Sequence, residues 1–340
     1  MTEKRTVLLP EPIEKEALEL LEAGGAEILT AADPRPETVK PLMPRADAIV
    51  LRTGIKITAD LLAGADRLMT ISRTGAGIDN VDVATATRQG VIVSSSAGAN
   101  TTTVTEHALA LILALYKQLF TLDRQLKKGD FKIRYAYLPR DLRGKTLGVV
   151  GFGKIGTEVA RACHTVFGMD VLAYDEYLPQ PARAALASWV TFTGLEDLCR
   201  RSHVVTVHTP LTDETRGLIG RRLLSLMKPE AVIVNTARGG IIDEAALADA
   251  LERKVIAGAG IDVFEQEPPR PDNPLLRAEN VIVTPHTASL TPECTVRLAL
   301  LGAQRVVDVF QGFVPDNVAN AQVLSLDRWK HLRRRPKSTT

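Results

Sequence analysis

The chain has 340 residues, with 42 lysines and arginines against 40 aspartates and glutamates, and a formal net charge of +2. That balance gives no electrostatic reason to expect nucleic acid or a membrane surface as a partner. The length implies about two domains, enough chain to bury roughly three quarters of its unfolded surface. Cys163, Cys199 and Cys294 lie far apart, without CxxC or Cys/His ligand spacing, so no metal is expected and they read as reduced residues of a cytoplasmic protein. The N-terminus MTEKRTVLLPEP lacks a secretory apolar core, and no run approaches a membrane span.

The N-terminal part alternates short apolar runs with amphipathic ones: Val7 to Leu9, a helix over about Ile13 to Leu21, Glu27 to Leu29, Ala48 to Leu51, Leu68 to Ile71 and Val91 to Val93. Alternation of strand and helix predicts a small parallel α/β sheet, and Pro34, Pro36, Pro41 and Pro44 punctuate its connections. A long apolar helix is predicted over Thr103 to Phe120, with N-cap candidates in Asn100 to Thr103. Its apolar residues cover too much of the circumference for a surface helix, so it is expected to be buried between domains or subunits.

Leu147 to Gly156, LGVVGFGKIG, reads as a buried strand running into a glycine turn and a helix. Gly151 permits the tight turn, Gly153 lets a pyrophosphate approach the backbone, and Gly156 lets the helix pack on the strand. Lys154 and Ile155 open that helix, whose free N–H groups face the phosphates. A further apolar run, Met169 to Tyr174, ends at Asp175, about twenty residues beyond the glycines, where the dinucleotide-binding pattern places the acid that holds a ribose 2′-hydroxyl. Glu176 and Tyr177 follow, with no arginine to meet a 2′-phosphate. NAD is therefore favoured over NADP.

The strand period continues at Asp170 to Ala173, Val204 to Val207, Ala231 to Asn235, Ala257 to Ile261 and Val281 to Val283, with helices between, including Asp243 to Arg253 with Asp243 as N-cap. This predicts a doubly wound parallel sheet. A last helix over about Pro292 to Phe310 carries the chain away from it. The basic run HLRRRPK, His331 to Lys337, sits in a polar tail read as a solvated end.

Ligands of such sheets bind beyond the carboxyl ends of the strands, and three successive strands end in chemically capable residues. Thr236, Ala237, Arg238, Gly239 and Gly240 follow one, Asp262 and Glu267 the next, and Thr284, Pro285 and His286 the third. A guanidinium is a planar fork for a carboxylate. These residues suit hydride transfer to a 2-oxo acid. Arg238 would hold the substrate carboxylate and polarise the carbonyl, His286 would donate the proton, and Glu267 would orient the imidazole.

The same stretches resemble the D-isomer-specific 2-hydroxyacid dehydrogenase family. The matching segments are RTGAGIDNVD (Arg73 to Asp82), GKTLGVVGFGKIG (Gly144 to Gly156), VHTPLTDETRGLI (Val207 to Ile219), VNTARGGIIDE (Val234 to Glu244), GIDVFEQEPP (Gly260 to Pro269) and TPHTA (Thr284 to Ala288). The family's Arg, Glu and His set maps onto Arg238, Glu267 and His286. The resemblance further implies that Asp262 and the Ala237 carbonyl address the nicotinamide amide, that Val104 packs near the nicotinamide, and that His208, Thr209 and Pro210 line the adenosine side. It implies that the backbone at Gly75, Ala76 and Gly77 binds the substrate carboxylate and that Asn100 is the substrate-loop asparagine. The implied fold is a Rossmann domain, residues 99–288, and a smaller flavodoxin-like substrate domain from both chain ends, residues 1–98 and 289–325, clamped together, followed by a polar tail, 326–340. The long apolar helix adds the expectation of a homodimer.

Arg52 and Arg73 coincide with positions that face the substrate phosphate in the phosphoglycerate dehydrogenases of the family; the alternative for each is solvation or a surface salt bridge. A phosphoglycerate-type substrate is the leading expectation. Glyoxylate or hydroxypyruvate reduction, phosphite oxidation on the same fold, and non-enzymatic NAD(H) sensing are the rivals. Thr105, His107, the SSSAGAN loop, Pro139 and Arg140 depart from the usual family residues and leave the substrate open.

Overall fold

A computed structural model describes residues 4–335. The chain divides into two compact units, one formed by Met1–Asn100 with Thr291–Thr340 and the other by Thr101–Leu290. No described helix is long and apolar enough to cross a membrane.

The first unit holds five parallel strands, β1 (Arg5–Leu9), β2 (Ala26–Thr30), β3 (Ala48–Leu51), β4 (Thr70–Arg73) and β5 (Ile92–Ser95), in the order β2-β1-β3-β4-β5. A parallel sheet is covered on both faces, so its strands are apolar on both. Leu8, Ile49, Leu51 and Ile71 face Met43, Ile57 and Leu61. Val7, Leu9, Ala48 and Val50 face the helices Lys15–Ala23 and Pro292–Phe310. The fourth strand begins two residues later than its apolar run suggested, because Leu68 is buried in the turn that precedes it.

The helix Pro292–Phe310 stands where the sequence predicts it, with the Thr291 hydroxyl accepting from the Cys294 N–H at 3.2 Å. The following segment corrects the reading of 326–340 as a polar tail, as far as it is described. Trp329 is 2% exposed, packs with Ile92, Val309 and Val323, and donates from Nε1 to the Gly90 carbonyl at 2.7 Å. Arg335 pairs with Asp308 at 2.6 Å. One indole buries enough apolar surface to hold an otherwise charged stretch down. Residues 336–340, including the end of the basic run, lie outside the described residues.

The second unit is a seven-stranded parallel sheet: β6 (Thr146–Val150), β7 (Asp170–Tyr174), β8 (Val190–Phe192), β9 (Val204–Val207), β10 (Val232–Asn235), β11 (Gly258–Ile261) and β12 (Val281–Val283). The order β12-β11-β10-β9-β6-β7-β8 reverses direction at β6, and a doubly wound sheet opens its ligand crevice at that switch point. The edge strand β8 is absent from the sequence reading, since three residues give too short an apolar run to stand out.

The long apolar segment forms a helix over Thr101–Tyr116; Gln118 then adopts φ 50°, and a second helix runs over Leu119–Lys127. The break corrects the single helix expected to Phe120. The expected burial between domains or subunits is also corrected for the buried positions. Ala108, Leu111, Ile112 and Tyr116 pack within their own unit against Leu147 and Val149 of β6, Val232 and Val234 of β10, and Val159 and Ala160 of the helix Lys154–Phe167.

Trp329→Ala removes a fully packed indole and leaves the Gly90 carbonyl without its donor, so it should destabilise the first unit by about 3–5 kcal/mol. Urea unfolding followed by circular dichroism checks this; an unchanged midpoint would show that the segment adds nothing to the core.

Candidate active site

The turn after β6 has the shape of a phosphate cradle. Gly151 has φ 91°, and a Cβ there would sit 2.7 Å from the Thr209 nitrogen. A Cβ on Gly156 would sit 2.1 Å from the Gly151 carbonyl oxygen, so the helix approaches the turn as closely as backbone allows. Beside Gly153 the space is open, which leaves room for a ligand against the backbone. Gly153 caps the helix Lys154–Phe167; Lys154 is exposed at its start and Ile155 packs inward. Fourteen residues of aligned peptide dipoles direct N–H groups at that opening.

Asp175 closes the neighbouring strand end. Its Oδ2 accepts from the Phe152 N–H at 2.7 Å, and its Oδ1 accepts from Tyr177 and Leu178, each at 3.0 Å. It borders a cavity of about 280 Å³ with Tyr174, Glu176, Arg183, Phe192, Thr193 and Gly194. Arg183 was not anticipated from the sequence. Its guanidinium donates to the Asp175 and Leu178 carbonyls and lies over the Phe192 ring. Recognising the edge strand from the run Val190 to Phe192 before Gly194 would have found this wall. Across the turn, His208 Nε2 lies 2.8 Å from the Thr206 hydroxyl, and burial pushes its imidazolium down to about 3. His208 therefore brings no positive charge beside Gly151 near neutral pH; Thr209 is half-buried and Pro210 exposed. Together these residues fit a dinucleotide, with backbone donors for the pyrophosphate and a carboxylate for the ribose.

The ends of β10, β11 and β12 bring Arg238, Glu267 and His286 together. A Cβ on Gly239 would collide with the Phe264 carbonyl at 1.8 Å, so the loop after β10 lies directly on the loop after β11. Asn235 fixes the first loop, accepting from the Ala237 N–H at 2.9 Å and donating to the Arg238 carbonyl at 2.8 Å. Arg238 Nη1 donates to the Ala237 carbonyl at 2.7 Å. Glu267 Oε1 accepts from the Phe264 N–H at 3.1 Å, and its Oε2 lies 2.7 Å from His286 Nδ1. Burial opposes the charge on Glu267, but the hydrogen bond and charge of His286, the Phe264 N–H and the nearby Arg238 outweigh it and hold the carboxyl below the usual glutamate value. With Nδ1 donating to the carboxylate, Nε2 is the ring atom left to exchange a proton with a ligand.

Asp262 follows β11 and anchors the loop after β12. It has no exposed surface; its Oδ1 accepts from the Thr284 hydroxyl at 2.6 Å and the Thr287 N–H at 2.8 Å, and its Oδ2 from the Ala288 N–H at 3.0 Å. Its backbone carbonyl accepts from the His286 N–H at 2.7 Å. His286 itself has φ 53°, a left-handed conformation uncommon for any residue with a side chain. The Asp262 bonds on either side of it hold that conformation. Val104 is buried in the helix Thr101–Tyr116.

In the first unit, Arg73 closes β4 and its guanidinium lies across Gly75, where a Cβ would be 1.4 Å from Nη1. Gly75 is buried, Ala76 exposed and Gly77 half-buried. Ser96, whose N–H donates to the Arg73 and Gly75 carbonyls, supports this loop, and the buried Arg305 donates to the Ser96 hydroxyl at 2.9 Å. Asn100 is 9% exposed. Arg52 donates to the Pro12 carbonyl at 3.1 Å and pairs with Glu14 at 3.3 Å, the salt-bridge alternative that the sequence left open for it.

Fold and site thus define an α/β protein built around a dinucleotide turn with an Arg, Glu and His cluster on the same rim. Residues 109–288 match the family model described as D-isomer specific 2-hydroxyacid dehydrogenase, NAD binding domain. A D-3-phosphoglycerate dehydrogenase of Archaeoglobus fulgidus is 39% identical over 92% of this chain, which spans 59% of that protein's length. A glyoxylate reductase of Aeropyrum pernix is also 39% identical, over 92% of this chain and 94% of its own. The structure of a D-lactate dehydrogenase from Aquifex aeolicus, complexed with NAD and lactic acid, superposes with a TM-score of 0.80 at 30% identity, covering 91% of this chain and 96% of that one. The chain belongs to the D-isomer-specific 2-hydroxyacid dehydrogenase family.

Because the folded-state value of Glu267 is lowered, the stability it contributes is present at neutral pH and is lost as pH falls through that lowered value. Carbon-13 NMR of the Glu267 carboxyl should give a midpoint below the ordinary 4.5, moving upward in His286→Ala. A midpoint at or above the ordinary value would contradict the pairing.

Proposed function

We propose that the protein is an NAD-dependent oxidoreductase that interconverts a 2-oxo acid and a D-2-hydroxy acid. The observation that carries this reading is the 2.7 Å contact between His286 and Glu267 beside Arg238, on the rim that also carries the Gly151 turn. NADH, when bound, supplies a hydride to the carbonyl carbon. Arg238 holds the substrate carboxylate as a fork and polarises the carbonyl. His286 delivers a proton from Nε2 to the carbonyl oxygen, and Glu267 fixes the orientation of the ring. The acid gains one hydride and one proton, and His286 is reprotonated from solvent. Asp175 favours NAD over NADP by placing a carboxylate where a 2′-phosphate would fall, with Arg183 already engaged by two carbonyls. The Gly75 to Gly77 backbone and Asn100 are assigned to the substrate in the first unit, and Ala237 and Val104 to the nicotinamide in the second.

A phosphoglycerate-type substrate is the leading choice, with Arg73 as the cation for its phosphate. Glyoxylate or hydroxypyruvate is the second reading, and the Glu14 partner of Arg52 favours it by neutralising the other candidate cation. NADH oxidation with phosphohydroxypyruvate, hydroxypyruvate and glyoxylate separates them. His286→Ala should lower turnover roughly a hundred- to ten-thousand-fold. Glu14→Gln should raise kcat/KM for phosphohydroxypyruvate roughly two- to fivefold, the range of a partly exposed ion pair, and leave glyoxylate unchanged. An Arg73→Ala variant indifferent to the phosphorylated acid would select the second reading. NADH binding without turnover on any acid would favour a sensing role, and phosphite-dependent NAD reduction would replace the reaction.

We also propose a homodimer working in the cytoplasm. The cysteines are free and buried. Leu119, Phe120, Leu126, Phe131, Tyr135 and Leu138 are each more than half exposed within one short segment, an apolar concentration that a second copy would cover. Light scattering should give twice the 36.9 kDa chain mass, and Phe120→Asp with Phe131→Asp should halve it. A monomer in the unmodified protein at micromolar concentration would refute the dimer.

A further inference from the structure

His107 lies on the helix Thr101–Tyr116, one turn beyond the buried Thr103 and Val104. Its Nε2 is 3.1 Å from the Thr284 hydroxyl and 3.6 Å from Asp262 Oδ1. Thr284 spends its one hydroxyl hydrogen on Asp262, at 2.6 Å, so toward His107 it can only accept. The ring must therefore carry its proton on Nε2, and a directed chain results. His107 donates to Thr284, Thr284 donates to Asp262, and Asp262 accepts the Thr287 and Ala288 N–H groups that hold His286 in its left-handed conformation. Hydrogen bonds linked head to tail strengthen one another, and this chain ends on a carboxylate with no exposed surface.

We propose that His107 is a positioning residue for His286, acting through Thr284 and Asp262. The inference deepens the oxidoreductase reading and rests on it. Without the His107 donor, the Thr284 hydroxyl loses a partner and is free to turn from Asp262. The carboxylate then loses its alignment on the loop, and the strained backbone at His286 can relax. Glu267 holds the imidazole only while that backbone presents it, so relaxation misplaces the proton donor without touching the dinucleotide turn or Arg238.

The test uses His107→Leu, which removes the donor, His107→Gln, whose amide places a donor at a similar reach, and Thr284→Val and Thr284→Ser, which do the same from the other side. In the leucine variant kcat should fall about tenfold or more, the scale of a catalytic group displaced by a fraction of an ångström to 1 Å, while substrate KM and NADH affinity stay within about twofold. Glutamine and serine should restore most of it. The double variant His107→Leu with Thr284→Val should be no slower than the worse single, since both cut one chain. Amide hydrogen exchange supplies a readout that needs no turnover: protection at Thr287 and Ala288 should drop at least about tenfold in the leucine variant and return with glutamine. Equal kcat for leucine, glutamine and the parent, or unchanged protection at those two amides, would overturn the proposal. Should His107→Leu not fold, His107→Ala, which also removes the donor and leaves the Thr284–Asp262 bond in place, decides by the same two measurements. A parent protein that turns over no 2-oxo acid would defeat the proposed function, while the exchange data would still accept or reject the positioning chain.

Discussion

A carboxylate without solvent is costly unless hydrogen bonds replace the water it has lost, and Asp262 meets that demand at the end of β11. Three donors converge on it, one hydroxyl and two backbone N–H groups, and both backbone donors come from the residues directly after His286. Removing any of them would leave buried charge undersatisfied. The left-handed backbone at His286, a conformation that costs a non-glycine residue of the order of 1–3 kcal/mol, is therefore sustained by the hydration needs of a neighbouring acid. The geometry of the rim depends on this exchange: strain at His286 is held in place by satisfaction of the Asp262 carboxylate.

The parallel sheet explains why the site lies where it does. Every strand of the second unit runs the same way, so all carboxyl ends share one rim, and the order reverses at β6. The dinucleotide turn then falls at the reversal, and the ends of β10, β11 and β12 follow on one side of it. Close approach of loops does the rest. Gly239 against Phe264 sets Arg238 beside the Glu267 loop, as Gly156 against Gly151 sets the helix against the turn. Glycine at these points shortens distances that any side chain would lengthen.

Much of this was legible in the sequence because the decisive signals are local. The glycine spacing, the acid after β7, and the Arg, Glu and His at three strand ends are each read within a few residues, and the apolar runs locate eleven of the twelve strands among the described residues. What escaped depends on distant partners. The hydrogen bonds of Asp262 are such a case, since it accepts from residues more than twenty positions away. His107 is a histidine on an apolar helix until Thr284 arrives beside it. Trp329 sits in a charged segment whose composition suggests solvent, yet one indole outweighs it by burying against β5. The break at Gln118 has no proline or glycine to announce it, and the edge strand β8 is too short to show a period.

Exposure changes stepwise across the rim, and the steps follow the work each group does. Asp262 is wholly buried, while the side chains of His107, His286 and Glu267 are 23%, 36% and 39% exposed. In the proposed reaction His286 exchanges protons with solvent between turnovers, which requires the access to water that its exposure provides. A group that sets geometry needs the opposite, because water would offer Thr287 and Ala288 alternative acceptors and release the strained loop. The same division applies in the first unit, where the buried Arg305 supports the Ser96 loop while Arg52 and Glu14 remain partly exposed. Solvent screens a partly exposed ion pair of that kind, so it contributes less to stability than the buried supports do.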